Sequence, residues 1–525
     1  MALHADAHGS RVPAATHYPT AVIAGPSSGG AELDPQRWAV LAVVVIVQLM
    51  LVLDATIVTI ALPSAQRALH VSVANRQWVI TAYTVTFGGL LLLGGRIADF
   101  VGRRRMFIIG LIGFATASAI GGLATDQAML FGARALQGAF AALMAPAALS
   151  ILTITFQADP KERAKAFAAY GAVSGAGGSI GVLTGGLLTE YASWRWCLLV
   201  NAPIALLAAV AAARFVHESR AGGTTRYDIP GALLSTSGLV SLVYGFTKAV
   251  TDGWTSVPTL ILISVATALL VAFALVEYRS SNPLLPLRVV AERNRGGSFL
   301  ATLLTGAALF AMFVFLSYYL QQVLHYSALK AGVAFLPFGA GIILAAVASS
   351  SLVPRVGPRP PMTIGLLLGA AGLAWQTQIG VHTSFWTHVL PPQILISVGL
   401  GLAFPVFSST ALTKVNERDS GVASALVSTT QQVGGSLGTA LLNTIAATSA
   451  ATYVAAHGPA FVQAGVVHGF AVAFAVGAGF LVLAAIVSAY FVTARPTDLP
   501  NAAISIASAD HRRVQSTSDD QHDRR

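Results

Sequence analysis

The stretch "GGRIADFVGRRR", Gly94 to Arg105, sets four arginines and one aspartate between two long apolar runs. The rest of the chain is poor in charge. Only 10% of its 525 residues are Asp, Glu, Lys or Arg, where a soluble domain carries about a quarter. Hydrophobic residues make up 55%, and the mean hydropathy is +0.71. Apolar runs of about 20 residues recur along the whole length, the pattern of membrane-spanning helices. Backbone in lipid must pair internally, and a barrel would alternate apolar with polar residues, so these runs are read as helices. The 50 glycines fit helices whose backbones approach closely. The charged dozen is therefore a loop between two spans.

Apolar runs lie near 38–62, 77–97, 106–124, 128–156, 164–187, 195–216, 229–248, 257–277, 296–321, 329–351, 361–379, 387–412, 420–445 and 467–492. That is about fourteen spans, and an even number puts both termini on one side. The first run is too long for the apolar core of a signal peptide and reads as an uncleaved span. Grouping the loops alternately puts about 25 of the 31 basic residues on the side that holds both tails and Arg96 to Arg105. The positive-inside rule makes that side cytoplasmic. Arg67, Arg76, Arg195, Lys248 and Lys330 fall on the other side, and Arg134 falls inside a span. The net charge of +10 is spread over many short loops, which fits membrane orientation rather than nucleic-acid binding. A single cysteine, Cys197, excludes a disulfide framework within the chain and argues against a cysteine-based zinc site. Residues 1–36 and 496–525 lack periodicity and read as disordered tails, and their histidines as solvated rather than metal-binding.

A weak internal repeat relates "GGRIADFVGRRRMF" (94–107) to "SSLVPRVGPRPPM" (350–362), with Gly102 matching Gly357. Repeats of this kind are typical of secondary transporters. The first of these loops resembles the pattern G-x-L-A-D-x-x-G-R-[RK]-[RK] of the major facilitator superfamily. "LDATIVTIALPS" (53–64), "RALQGAFAALMAPAALSIL" (134–152), "GSIGVLTGGLLTEYASWRWCLLVNAPIA" (178–205) and "YLQQVLHYSALKAGVAFLP" (319–337) resemble its fourteen-span drug:proton antiporters, the EmrB/QacA-like group. The resemblance covers roughly residues 37–495. It implies an all-α integral membrane protein with a six-helix bundle over 37–220, two linker helices over 221–280 and a second six-helix bundle over 281–495. Two positions depart from the pattern. The Gly-Pro of the antiporter motif is Gly181-Val182, which puts the fifth-span kink in doubt, and the basic residue often found after the loop aspartate is Phe100.

Asp54 is the one clear acid at mid-span, where a charged carboxylate costs about 2.5–3.5 kcal/mol. Hydrocarbon pulls a carboxyl toward neutrality and a neighbouring cation pulls it toward charge, the two pulls a proton-loading site needs. The competing reading is a helix-packing acid. Arg134 is its candidate partner, since a buried guanidinium without a counter-ion is costly. The resemblance implies proton coupling for it, against a purely structural anchor to carbonyls. Asp99 ends the second span. The family architecture puts it near the start of the 420–445 span, where a helix N-terminus favours a carboxylate and the contact closes a cytoplasmic gate. Gly95, Gly102, Arg103 and Arg104 complete this gate loop, against the alternative of a simple turn. Gly177, Gly181, Gly185 and Gly186 are close-packing positions, and an antiporter role for them comes only from the resemblance. Tyr83, Phe313, Tyr318, Gln321, Gln322, Gln431, Gln432 and Asn443 are candidate cavity residues among apolar walls, each of which also serves as ordinary helix packing.

The resulting expectation is a secondary transporter, not an enzyme. It exports lipophilic small molecules in exchange for protons by alternating access, as a monomer in the plasma membrane with both termini cytoplasmic. It uses no cofactor, no metal and no nucleic acid, and the proton motive force drives it. A dedicated exporter of one endogenous metabolite, a proton-coupled importer and a non-transporting membrane sensor are the rival readings.

Overall fold

The computed structural model describes residues 35–495 except 74, 158, 221–227, 281, 282, 284, 286, 414 and 416. Apart from residues 35 and 36, both tails read as disordered lie outside the described residues. In chain order the helices are α1 (Arg37–Ala68), α2 (Trp78–Val101), α3 (Arg103–Gly122), α4 (Gln127–Thr155), α5 (Pro160–Tyr191), α6 (Trp196–Leu199), α7 (Asn201–Phe215), α8 (Ile229–Asp252) and α9 (Val257–Arg279). They continue with α10 (Leu287–Ala291), α11 (Arg293–Tyr318), α12 (Ala328–Ala334), α13 (Leu336–Val356), α14 (Arg359–Gln376), α15 (Phe385–His388), α16 (Leu390–Ala411), α17 (Glu417–His457) and α18 (Val462–Phe491). A π-helical turn, Tyr319–Val323, extends α11. No strand occurs among the described residues.

Every apolar run read from the sequence coincides with one or two of these helices. Among the described residues, eleven helical stretches are long and apolar enough to cross a membrane. The remaining long helices, α5, α14 and α17, have 32, 18 and 41 residues. Helix starts follow local chemistry. Asp126 caps α4 by accepting from the Met129 N–H at 2.9 Å, and Asp228 caps α8 by accepting from Gly231 at 2.8 Å. The one large boundary difference is α17, read from sequence as ending at 445 but continuing to His457. Its last turns, "AATSAATYVAAH", are rich in alanine and sustain a helix past the end of the apolar run.

Both repeat loops are tight glycine turns. Gly102 (φ +128°) separates α2 from α3, and Gly357 (φ +82°) precedes α14. A Cβ on Gly102 would also meet the Glu218 carboxylate at 2.6 Å. α5 runs unbroken through Val182, which is buried in the core, so the position that lacks the motif proline is continuous helix.

One apolar core lies almost wholly within α1 to α7. A second joins α11 to α18 and takes in residues of the earlier helices, among them Ile57 and Ile60 of α1, Val79 and Ile80 of α2, Leu130 of α4, Val182 of α5 and Leu198 of α6. The helices thus form two groups with α8 and α9 between them in sequence. The end carrying Gly102 and its arginines is the basic end, and the other is the far end. At the far end the groups are shut against each other. Ser317 donates to the Thr59 carbonyl at 3.0 Å, and Gln321 to the Ile60 carbonyl at 3.1 Å. A Cβ on Gly186 would meet the Ala328 carbonyl oxygen at 2.7 Å.

Candidate functional site: a buried charge pair in the first helix group

α1 carries Asp54 into the middle of the first group, where its exposure is 0% and that of Arg134 is 1%. Arg134 Nη1 donates to Asp54 Oδ2 at 2.7 Å. The other carboxylate oxygen, Oδ1, accepts from Asn201 Nδ2 of α7 at 2.8 Å and from Gln137 Nε2 of α4 at 3.1 Å. Arg134 also donates through Nε to the Val79 carbonyl at 2.9 Å and through Nη1 to Gln137 Oε1 at 2.9 Å. Its guanidinium lies 4.5 Å from the centre of the Tyr83 ring. Gln137 Nε2 further donates to Ser118 Oγ of α3 at 2.7 Å. Arg134 and Gln137 stand three residues apart on one face of α4, so a single helix supplies a cation and an amide to the same carboxylate.

The structure brings together Asp54 and Arg134, which the sequence reading paired, places Tyr83, read as a cavity residue, against Arg134, and adds Gln137, Asn201 and Ser118. Gln137 lies in the 134–152 motif and Asn201 in the 178–205 motif, but a neutral amide in a span reads as helix glue until its direction is known. The network satisfies both carboxylate oxygens with three donors, as a desolvated anion requires. Adding a proton to Asp54 neutralises the anion and strands a buried cation. Removing one partner of such a buried pair costs about 3–5 kcal/mol.

At the basic end, Asp99 accepts from Arg103 Nε at 2.9 Å and Nη2 at 2.7 Å. Side chains 417–422, which open α17, lie outside the described residues, so the contact expected between Asp99 and that helix start does too. Arg104 donates to the Ala213 carbonyl, and Glu218 accepts from the N–H groups of Arg104 at 3.2 Å and Arg105 at 3.3 Å. The stretch read from sequence as a loop is thus helix on both sides of Gly102, with the first turn of α3 docked on the end of α7, and Arg96 of α2 reaches the Pro283 carbonyl at 3.0 Å. Gly95 faces Pro146 of α4 at 3.4 Å.

The α5 glycines are packing contacts. Positions where a Cβ would press on α1 are Gly177 (Val52, 2.9 Å), Gly181 (Thr56 and Leu53) and Gly185 (the Ile57 carbonyl oxygen, 2.7 Å), while Gly186 faces α12 of the second group. The candidate cavity residues scatter. Phe313 stacks on Phe335 with centroids 5.3 Å apart. Tyr318 donates to Gln66 Oε1, Gln321 bonds α1, and Asn443 bonds the start of α2. Gln322 is exposed, Gln431 half-buried and Gln432 buried against Gly88.

The Major Facilitator Superfamily profile matches residues 44–439. The chain is 50% identical over 467 residues to the puromycin resistance protein pur8 of Streptomyces alboniger, covering 88% of this chain and 92% of that one. It is 39% identical to the cephamycin export protein CmcT of Amycolatopsis lactamdurans, covering 76% and 83%. Among solved structures, the POT family transporter PepTSo superposes with a TM-score of 0.62 at 16% identity, over 87% of this chain and 97% of that one. Helical architecture, buried charge pair and these matches agree: the chain is a multi-pass membrane transporter that belongs to the major facilitator superfamily.

Proposed function

We propose that the chain exports lipophilic, antibiotic-type small molecules in exchange for protons by alternating access. The observation that carries this reading is the Asp54–Arg134 pair, shut from solvent and held by neutral partners from two further helices and by Gln137, which Ser118 of a third holds in place. With the basic end cytoplasmic, Asp54 is charged when substrate is taken up from inside and takes a proton from outside as substrate leaves. Arg134 holds the charged state and must be re-solvated in the protonated one, which ties the proton to a change of shape. About 2.3 kcal/mol per charge per 100 mV gives roughly 3.5 kcal/mol at about 150 mV. At 1.4 kcal/mol per decade, one proton sustains a substrate gradient of roughly 300-fold.

In this reading α5, α14 and α17 also cross, which makes fourteen spans in the manner of the EmrB/QacA-like group. Two six-helix bundles flank the α8–α9 hairpin. Both termini are cytoplasmic, the membrane is the plasma membrane, and the monomer is the working unit. Asp99 with Arg103 latches the cytoplasmic end through the start of α17. Gly177, Gly181 and Gly185 let α5 ride close on α1, and Gly186 lets it meet α12. In this reading Tyr83, Gln431 and Gln432 supply polar contacts to the substrate.

The two curated relatives carry the names of single antibiotics, which favours a second reading, a dedicated exporter of one antibiotic. Expression in an efflux-deficient host, challenged with a panel that includes puromycin and a cephamycin, separates the two. Broad resistance that a protonophore removes supports multidrug export, and resistance to one compound supports the dedicated exporter. Resistance that survives the protonophore contradicts proton coupling.

A further inference from the structure

α8 is not a peripheral passenger at the far end. Arg76, in the turn before α2, is only 6% exposed, although sequence grouping counts it among loop cations. Its Nε donates to Asn443 Oδ1 of α17 at 3.0 Å, and its guanidinium lies 4.3 Å from the centre of the Tyr318 ring. Asn443 Nδ2 in turn donates to Gln77 Oε1 at 2.6 Å and to the Val73 carbonyl at 3.3 Å. Gln77 Nε2 then donates to Thr247 Oγ1 of α8 at 2.9 Å, and Trp78 Nε1 donates to the same oxygen at 3.1 Å. On the other flank, Thr444 Oγ1 of α17 donates to the Phe246 carbonyl of α8 at 2.8 Å. Beneath these bonds, Leu239 and Val243 of α8 pack with Val85 of α2 and Ala440 of α17.

The two transport halves therefore meet here directly, at Asn443, and also through a third helix. Opening the α2–α17 seam at this end forces α8 to part from at least one of them. Apart from the Arg76–Asn443 bond, whose donor is charged, the bonds that break are neutral hydrogen bonds, which water entering the open seam replaces. Such a contact holds a closed state without locking it.

We propose that α8 is a working part of the far-end gate, with Thr247 as the residue that ties α2 to it and Gln77 and Asn443 as positioning residues. This rests on the alternating-access reading above. The seam is read by double electron–electron resonance between spin labels on cysteines replacing the exposed residues Val73 and Ala455, in a Cys197→Ser background. The Thr247→Val change keeps the side-chain shape and removes the oxygen that Gln77 and Trp78 both use. It is expected to raise the long-distance population about fivefold, the loss of roughly one net hydrogen bond. Gln77→Leu is expected to do the same from the other side, and Thr247→Ser to match the parent. A parent that samples two separations, with Thr247→Val populating them in parental proportion, overturns the role of α8 alone. A parent whose separation stays single in both acidic and alkaline buffer contradicts alternating access itself.

Discussion

Arg134 and Arg76 are both guanidinium groups shut away from solvent, and the protein keeps them in opposite ways. Arg134 has a carboxylate at 2.7 Å, and the hydrogen-bond partners of the pair described above all belong to the first helix group. Arg76 has no acid within ion-pair reach among the described residues. Its partners are an amide of α17 and two aromatic rings, Tyr318 of α11 and Phe470 of α18, all in the second group. The first arrangement survives any movement of one group against the other, because nothing in it crosses the seam. The second is the seam. A charged pair within one rigid unit keeps its partners when the units move, and a guanidinium held across two units by a neutral amide and two rings suits a contact that must open and close.

Substitutions that remove one charge put this contrast under the hardest strain. Arg134→Gln leaves Asp54 buried without its cation and is expected to cost about 3–5 kcal/mol, whereas the Asp54→Asn/Arg134→Gln double change recovers most of that loss. Thermal unfolding of the detergent-solubilised protein reads both. A double variant no more stable than the single one means that the two side chains are not energetically a pair. Next in size is Asn201→Leu, which removes one of the two amide donors to Asp54 Oδ1. It is expected to cost about 1–3 kcal/mol and to lower proton-driven transport in proportion. Thermal stability and transport both at parental level would show that Arg134 and Gln137 suffice.

How much of this was legible in the sequence depends on the kind of interaction. The helices and their order follow from apolar period and length. Asp54 and Arg134 stand out because charge in hydrocarbon is rare, and Gly102 and Gly357 because their turns need a left-handed backbone. Gln137, Asn201 and Ser118 do not stand out, since a neutral polar side chain in a span has many uses and only the fold decides its direction. Arg76 looks like any loop cation beside the apolar run, and its neighbours come from α11, α17 and α18, more than 240 residues away in the chain. Tyr318, Gln321 and Asn443 were read as cavity residues from their chemistry. The structure shows each bonded across the two groups, a property that no local pattern carries.

Smaller effects belong to the seam and the loop. Arg76→Gln strands no counter-ion, so it is expected to cost only about 1–2 kcal/mol, from one hydrogen bond and a cation–π contact. It should favour the state open at the far end while leaving uphill transport detectable. Accessibility of far-end cysteines to an impermeant thiol reagent reads this, and loss of all proton-driven transport would make Arg76 part of the coupling site instead. Asp99→Asn removes an ion pair in which the carboxylate is 40% exposed. Such pairs contribute about 0–1 kcal/mol, so labelling of cysteines placed in the cytoplasmic cavity should rise by no more than about fivefold. Unchanged labelling removes Asp99 from the gate.

The central claim is that the carboxyl of Asp54 carries the proton that drives export. Purified Asp54→Asn protein in liposomes, with a proton gradient imposed across the membrane, tests it most directly. The account predicts that the variant inserts and equilibrates substrate down its gradient but never concentrates it. Accumulation against the gradient at the parental level would contradict it.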